Sequence, residues 1–168
     1  MQNTKTTSTL VTTQNQHRLA LAAKSLVVTL SVVAFYFQDL SMVFNGALND
    51  EASFHILVIP FLFVYLIYRK RKMVNAAITQ PTLSRQFFQK NFSLLAGVTL
   101  CAVAILTYWY GSYTFTPLEY HMFTLPVMTA GLVLILFNPQ TLKQLFFPIA
   151  FLIFLCPPPS EILYGLGS

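Results

Sequence analysis

Two histidines and a few carboxylates are the residues of this sequence suited to acid–base chemistry or polar recognition. His55 and His121 each lie near acidic residues, at the edge of an apolar segment. Ionisable side chains at membrane depth are energetically costly and usually mark a functional site. We therefore expect a shared polar site and select His55, Asp39 and Glu119 as its candidate residues. The alternative is that both histidines are hydrated at a membrane interface and have no special role.

The two cysteines, Cys101 and Cys156, are the candidate nucleophiles. A reactive thiol needs a nearby base or cation and a donor for the developing oxyanion. Cys101 lies inside an apolar segment, and Cys156 is followed by three prolines, which have no N–H to donate. We therefore predict no catalytic residue in this chain. The sequence also lacks a zinc-type spacing of Cys and His, so we predict no metal and no cofactor.

Composition indicates that these residues belong to a membrane protein. The chain is 55% hydrophobic and only 9% charged over 168 residues, whereas a soluble domain has about 25% charged residues. A soluble protein of this size could not bury so much apolar surface. The net charge of +5 does not point to nucleic acid, because the cations flank apolar segments. We predict the lipid bilayer as a partner and no nucleic acid.

The apolar segments predict an all-α fold, a polytopic membrane helix bundle with about five transmembrane helices. Residues 1–18 are polar and without periodicity, so we predict a disordered cytoplasmic tail before a transmembrane region over residues 19–168. Residues 38–53 are predicted to be a polar connection with a turn at Asn45-Gly46. The predicted spans lie near residues 19–37, 54–68, 92–110, 120–137 and 144–157.

The last span is short. Its 12 apolar residues reach about 18 Å at about 1.5 Å per residue, against a hydrocarbon core of about 30 Å. It either spans with Lys143 snorkelling to the headgroups or is a half-helix buried among the others.

Two other features bear on packing. Pro126 predicts a kink in the fourth span, and the pairs Ala96-Gly97 and Ala130-Gly131 suggest close helix contacts.

The charges predict the orientation. With five spans, all ten Lys and Arg residues fall on one side, and all five Asp and Glu residues fall on the other. Cytoplasmic loops retain Lys and Arg. The sequence therefore predicts a multi-pass protein of the cell membrane with its N-terminus in the cytoplasm and its acidic residues outside.

Several motifs resemble the exosortase/archaeosortase family. Residues 36–40 (Tyr-Phe-Gln-Asp-Leu), 52–60 (Ala-Ser-Phe-His-Ile-Leu-Val-Ile-Pro) and 65–71 (Tyr-Leu-Ile-Tyr-Arg-Lys-Arg) are similar to its early signature. That signature has an aromatic plus Asp-Leu element, a Ser-His-Gly-like step and an apolar span ending in a basic cluster. Residues 145–159 resemble its apolar run closing on a Pro-x-Pro step, and residues 138–143 the loop before it.

The resemblance implies a membrane cysteine transpeptidase that cleaves a C-terminal sorting tail from exported proteins and passes the protein to an acceptor. The family's catalytic Cys lies in an Ala-Cys-Ser-Gly-like element beyond the Pro-x-Pro step and is followed by arginine, whereas this sequence reaches Ser168 without these elements. Ile56 replaces the Gly expected after His55, and Cys156 stands where the family has an apolar residue.

We therefore expect a truncated N-terminal membrane half that is inactive alone. Its partners would be the apolar C-terminal helix of an exported protein and a missing C-terminal half. In that role, His55, Asp39 and Glu119 would be the substrate-binding residues at the extracytoplasmic rim.

A second hypothesis is a small multi-pass membrane scaffold or a transporter subunit without peptidase activity. Transporters tend to bury ionisable residues near the bilayer midplane and to show internal symmetry, and the sequence shows neither. Whether the chain is an enzyme stays open: the family it resembles consists of membrane cysteine peptidases, but the family's catalytic residues are missing from this sequence. The DNA downstream of Ser168 would discriminate between the two hypotheses.

Overall fold

The computed structural model describes residues 3–49, 55–79, 86–115 and 117–156. Within these ranges the chain is helical and contains no strand, which confirms the prediction of an all-α fold. The elements are α1 (Asn3–Phe35), α2 (Phe37–Asn49), α3 (His55–Thr79), α4 (Gln86–Gly111), α5 (Pro117–Leu136), α6 (Pro139–Phe151) and a 3-10 helix (Leu152–Leu155).

Helix α1 includes most of the segment expected to be a disordered tail. The helix begins at Asn3, although residues 1–18 have no hydrophobic periodicity. The first 35 residues contain neither Gly nor Pro. A helix nucleated in the apolar part can therefore extend toward the N-terminus without meeting a residue that breaks it.

Residues 37–49 form a helix where the sequence predicted a polar connection. Helix α2 is bent by 72° from Leu19–Phe35, and Tyr36 is the turn residue between them. Its buried residues follow each other at intervals of four, so one face packs on the bundle; they are Asp39, Val43 and Ala47. The predicted Asn45-Gly46 turn lies inside this helix, because burial of that face outweighs the local turn preference.

Two helices are long and apolar enough to cross a membrane, Asn91–Gly111 and Pro117–Leu136. The bent pair Leu19–Phe35 and Phe37–Asn49 adds a third if it forms one span, and Pro139–Leu155 is a shorter apolar helix. Helix α3 meets a run of four cations after 14 residues. The chain is therefore a helical membrane bundle with two or three clear spans among the described residues, and the count of five stays a prediction.

The two ends of the bundle are defined here by the residues where α5 begins and ends. At the Tyr108 end, α4 ends and α5 begins. At the Asn138 end, α5 ends, α6 begins, and Asn138 Nδ2 donates to the backbone oxygen of Ala77 on α3 at 3.2 Å. The Nζ of Lys24 on α1 lies 6.0 Å from the centre of the Phe137 ring at the same end.

The main core lies toward the Tyr108 end, where α2, α3, α5 and the 3-10 helix meet. Its buried members are Tyr36, Val43, Ala47, Ile56, Ile59, Met122, Leu125, Leu152 and Leu155. A smaller cluster of Val28, Val133 and Ile149 joins α1, α5 and α6 nearer the other end. Ile56 and Ala77 thus place the start of α3 at the Tyr108 end and its last turns at the Asn138 end.

Charged side chains separate between the two ends in the part of the chain that the structure describes. Asp39 and Glu119 lie at the Tyr108 end, at the starts of α2 and α5. Lys24, Lys143 and the basic run 69–72 lie toward the Asn138 end. This is the separation by sign that the sequence predicted, and the side of the membrane that each end faces stays a prediction.

Candidate polar site at the Tyr108 end

The candidate site is centred on Asp39, the carboxylate in the first turn of α2. Asp39 is only 6% exposed. One carboxylate oxygen pairs with Nδ1 of His121 at 2.8 Å, and the other accepts from the hydroxyl of Tyr108 at 2.8 Å. A carboxylate near a helix N-terminus is also stabilised by the helix dipole. Three helices are thus joined at this end of the bundle through one buried acceptor.

His121 connects Asp39 to the surface. It lies in the first turns of α5 and is 8% exposed. Its Nε2 is 3.0 Å from the hydroxyl oxygen of Ser112, in the turn after α4. Its ring stacks on Tyr108 with 3.7 Å between centroids and 15° between planes. The hydrated histidine that the sequence also allowed is therefore not what the structure shows, because packing and two hydrogen bonds hold the ring.

The hydrogen bonds constrain where protons lie in this network. An ionised Asp39 only accepts, so Nδ1 of His121 carries a hydrogen. Ser112 has one hydroxyl hydrogen and two acceptors in reach, the backbone oxygen of Tyr108 at 3.1 Å and Nε2 of His121 at 3.0 Å. If His121 is neutral, Ser112 donates to Nε2. If His121 is protonated, it donates to Ser112, whose hydrogen then turns to Tyr108.

A second layer of hydrogen bonds positions the backbone of α5 beneath His121. The hydroxyl of Thr124 donates to the backbone oxygen of His121 at 2.7 Å. The hydroxyl of Tyr36, which is fully buried, lies 2.8 Å from the same Thr124 oxygen. Because the single hydrogen of Thr124 is already used, Tyr36 is the donor in this pair. Tyr36 thus couples the bend between α1 and α2 to the helix that carries His121.

Gly111 is the residue that lets α4 and α5 come close enough for Ser112 to reach His121. A Cβ at this position would lie 2.5 Å from Cβ of Tyr120 and 3.5 Å from Cδ2 of His121. Further along the same pair of helices, a Cβ at Gly131 would lie 2.6 Å from Sγ of Cys101. Small residues therefore set the spacing of α4 and α5 along their length.

Ser112, His121 and Asp39 are connected by hydrogen bonds in the same way as the Ser, His and Asp of a serine-protease triad. The surroundings of Ser112, however, do not suit acyl transfer. The N–H groups of residues 112, 113 and 114 donate to the backbone oxygens of residues 108 to 111. They are therefore not free to stabilise an oxyanion. The arrangement is suited instead to hydrogen bonding with a ligand at Ser112 and to moving a proton between Ser112 and His121.

Access to this network is through one residue. Ser112 is exposed, whereas Asp39 and His121 are buried and Tyr108 is half-buried. No buried side-chain nitrogen or oxygen in the described residues lacks a hydrogen-bond partner. A ligand that approaches the Tyr108 end would therefore hydrogen-bond to the hydroxyl of Ser112, and through Ser112 it would be linked to the buried pair of His121 and Asp39.

The three predicted site residues are not brought together as a set. Asp39 is at the centre of the network. Glu119 lies at the same end, two residues before His121, and its backbone oxygen accepts from Sγ of Cys156 at 3.6 Å. The backbone of His55 begins α3, and its side chain lies outside the described residues.

Sequence reasoning missed Tyr108 and Ser112. Tyr108 is the first of three aromatic residues at the end of α4, and the next two, Trp109 and Tyr110, are 62% and 67% exposed. Tyr108 instead lies on the inward face of α4, in line with Ala104. Tyr108 follows buried Ser93 and Ala104 at helical spacing, but the sequence of this uniformly apolar helix does not mark which of its faces is the inward one.

The described residues contain no cluster of three or more His, Cys, Asp or Glu side chains that could hold a metal ion. Cys101 and Cys156 are both free thiols and partly buried. The thiol of Cys156 donates to a backbone oxygen, and Cys101 packs on Gly131. The two thiols are thus held in packing contacts at these positions, and the absence of a catalytic cysteine stays a prediction.

Comparison with known proteins gives one match. The profile of the transmembrane exosortase family (Exosortase_EpsH) matches residues 47–167, more than two thirds of the chain. No curated protein and no solved structure matches it. The matched region includes α3 to α6, with His121, Tyr108 and Ser112, and begins after Asp39.

Proposed function

Because this chain belongs to the transmembrane exosortase family, we propose that it forms the membrane portion of a cysteine transpeptidase that processes sorting tails of exported proteins. In this role its helices receive the apolar C-terminal helix of the exported protein. The residues next to that helix in the tail then lie against Ser112 at the Tyr108 end. The protein resides in the cell membrane with its N-terminus in the cytoplasm, so that the Tyr108 end faces the exported side.

The observation that supports this proposal is the buried pair of Asp39 and His121, whose hydrogen-bond chain reaches the surface at Ser112. A buried ionisable pair in a membrane bundle is costly and usually serves a function. This pair lies at one end of the bundle, where a helix entering from the membrane would emerge, rather than at its middle. That position favours recognition of a polar segment of the tail over transport through the bundle.

We propose that this chain alone does not cleave the tail. Co-expression with an exported protein that carries a sorting tail is expected to leave the tail intact. Tail removal that continues after substitution of both Cys101 and Cys156 by alanine would show that another group, or another chain, supplies the nucleophile. Tail removal that stops with Cys156→Ala would contradict the packing role of that thiol.

Site-specific photocrosslinking tests the recognition step. A photoreactive phenylalanine at position 112 is expected to crosslink to the sorting tail, because Ser112 is the exposed member of the network. The same probe at Thr99 is the matched control, since Thr99 is exposed on the opposite face of α4. Equal crosslinking at both positions, or none at position 112, would favour a scaffold or transporter subunit without a tail-binding role.

A further inference from the structure

The exposed face of α3 carries an apolar stripe that ends in cations. Four aromatic or aliphatic side chains on this face are strongly exposed: Phe61 (78%), Val64 (65%), Tyr65 (56%) and Tyr68 (59%). Arg69, Arg71 and Lys72 follow directly and are also exposed, whereas Lys70 is half-buried. Since residues three or four apart lie on one face of a helix, Tyr65, Arg69 and Lys72 line up along it.

These cations lie well inside the length of the bundle. Ala77 meets Asn138 at the Asn138 end, and Arg69 and Lys72 precede Ala77 by eight and five residues. At about 1.5 Å per residue, they lie about 12 and about 8 Å closer to the middle of the bundle than that contact. The apolar part of α3 before them is correspondingly short, about 21 Å against about 30 Å for a typical hydrocarbon core.

No protein carboxylate is placed to neutralise this run within the described residues. Asp39 is hydrogen-bonded to His121 at the opposite end, and Glu119 lies at that end as well. Arg71 lies over the ring of Tyr68 at 4.0 Å, so its side chain turns back toward the apolar stripe. The cations therefore present net positive charge beside exposed aromatic and aliphatic surface.

We propose that Arg69, Arg71 and Lys72 bind the phosphate headgroup of an anionic phospholipid whose acyl chains lie along the exposed stripe of α3. The depth of the cations identifies lipid rather than a soluble anion, because headgroup phosphates are the anions present at the edge of the hydrocarbon. Basic residues at this position attract anionic lipid by about 1 kcal/mol each. The short apolar length of α3 draws the headgroups inward on this side of the bundle.

Quenching by brominated lipids tests this proposal in the full chain. Trp109 is the only tryptophan, so Trp109→Phe combined with Tyr65→Trp places one fluorophore beside the cations. The protein is reconstituted in mixtures of phosphatidylcholine and phosphatidylglycerol, with one lipid brominated at a time. The ratio of quenching gives the binding constant of phosphatidylglycerol relative to phosphatidylcholine at this face. We expect that ratio to be about 5 or more, since about 1 kcal/mol corresponds to about fivefold.

The double variant Arg69→Gln/Lys72→Gln is expected to lower the ratio at least fivefold, because only one of the three proposed phosphate ligands, Arg71, remains. The conservative pair Arg69→Lys/Lys72→Arg is expected to keep it within twofold of the starting value, with circular dichroism confirming that each variant is folded. Lys143→Gln is the matched control, because it removes one exposed cation near the same end on a different helix, and it is expected to leave the ratio unchanged.

A ratio near 1 before any substitution in the basic run would overturn the proposal. So would a loss with Lys143→Gln as large as with the double variant, since attraction would then be general to that end. Displacement of brominated phosphatidylglycerol by millimolar inorganic phosphate would show a soluble-anion site instead. None of these outcomes bears on tail crosslinking at position 112, which lies at the other end of the bundle.

Discussion

Replacing Asp39 by leucine is expected to lower the free energy of unfolding by about 3–5 kcal/mol, because it removes the one acceptor that two buried hydrogen bonds share. The magnitude follows from two contacts of 2.8 Å, to Nδ1 of His121 and to the hydroxyl of Tyr108. Each hydrogen bond to a charged group contributes about 1.5–3 kcal/mol. Leucine has a similar size but no acceptor, so both donors would be left unpaired in a site that is 6% exposed in the native chain.

Asparagine at position 39 keeps one carbonyl acceptor. Its carbonyl oxygen can accept a hydrogen bond from one neighbour, while its NH2 group faces the other neighbour and cannot accept that neighbour's hydrogen. We therefore expect Asp39→Asn to cost about half as much as Asp39→Leu, on the order of 2 kcal/mol. Which of the two variants is the less stable is a sharper test than either free energy alone, because the difference depends on the number of acceptors that remain at position 39.

Both variants are measured by unfolding in mixed micelles with rising dodecyl sulfate, followed by circular dichroism and by the fluorescence of Trp109, which adjoins Tyr108. Ser112→Ala is the control, since Ser112 is exposed and its loss is expected to cost less than about 1 kcal/mol. A cost below about 1 kcal/mol for Asp39→Leu, or an Asn variant less stable than the Leu variant, would refute the reasoning that one buried acceptor holds the three helices together.

Gly111→Ala is expected to destabilise the bundle by about 1–3 kcal/mol, because the new Cβ would lie 2.5 Å from Cβ of Tyr120 on the next helix. Gly46→Ala is the matched control: a Cβ there has nothing within 4 Å, so the variant should stabilise α2 by about 0.5–1 kcal/mol. Equal changes in the unfolding curves of the two variants would contradict the role of close packing at Gly111. Gly131→Ala should also destabilise the bundle. Adding Cys101→Ala should recover part of the lost stability, because it removes the thiol that lies 2.6 Å from the new Cβ. If the unfolding free energies of the two substitutions are strictly additive, the two residues are not in contact. Asn138→Ala should lower the free energy of unfolding by about 1 kcal/mol or more, since the Asn138 side chain caps α6 and also hydrogen-bonds to α3. Native-state hydrogen exchange should rise first in the first turn of α6. Unchanged exchange in that turn would contradict the capping role.

The small-residue pairs show how far a local pattern leads. Ala96-Gly97 and Ala130-Gly131 suggested close packing, and the structure brings Gly97 and Gly131 against each other, with the backbone oxygen of Gly131 only 2.9 Å from a Cβ built on Gly97. The pattern indicates that two backbones approach. It does not state which helices pair, since that choice depends on every other contact in the bundle.

Residues 37–49 show the opposite case. Their polar side chains and Asn45-Gly46 predicted a connection, yet Asp39, Val43 and Ala47 share one buried face of α2. The spacing was present in the sequence, but its meaning depends on a neighbouring surface to pack against. Asp39 could be selected as a polar site residue for its type, whereas its partners His121 and Tyr108 lie 82 and 69 residues away.

The sequence by itself indicated a membrane protein, its helical class and, for the described residues, the separation of charge between the two ends, because each depends on composition and on spacing along a single segment. It also contained enough of the family's motifs to indicate the exosortase family that the profile match shows. Only the tertiary structure decided that Tyr108 turns inward, that His121 is buried on Asp39, and that Ser112 is the residue that reaches the surface. Those outcomes depend on contacts between helices distant in the chain, which no local pattern encodes.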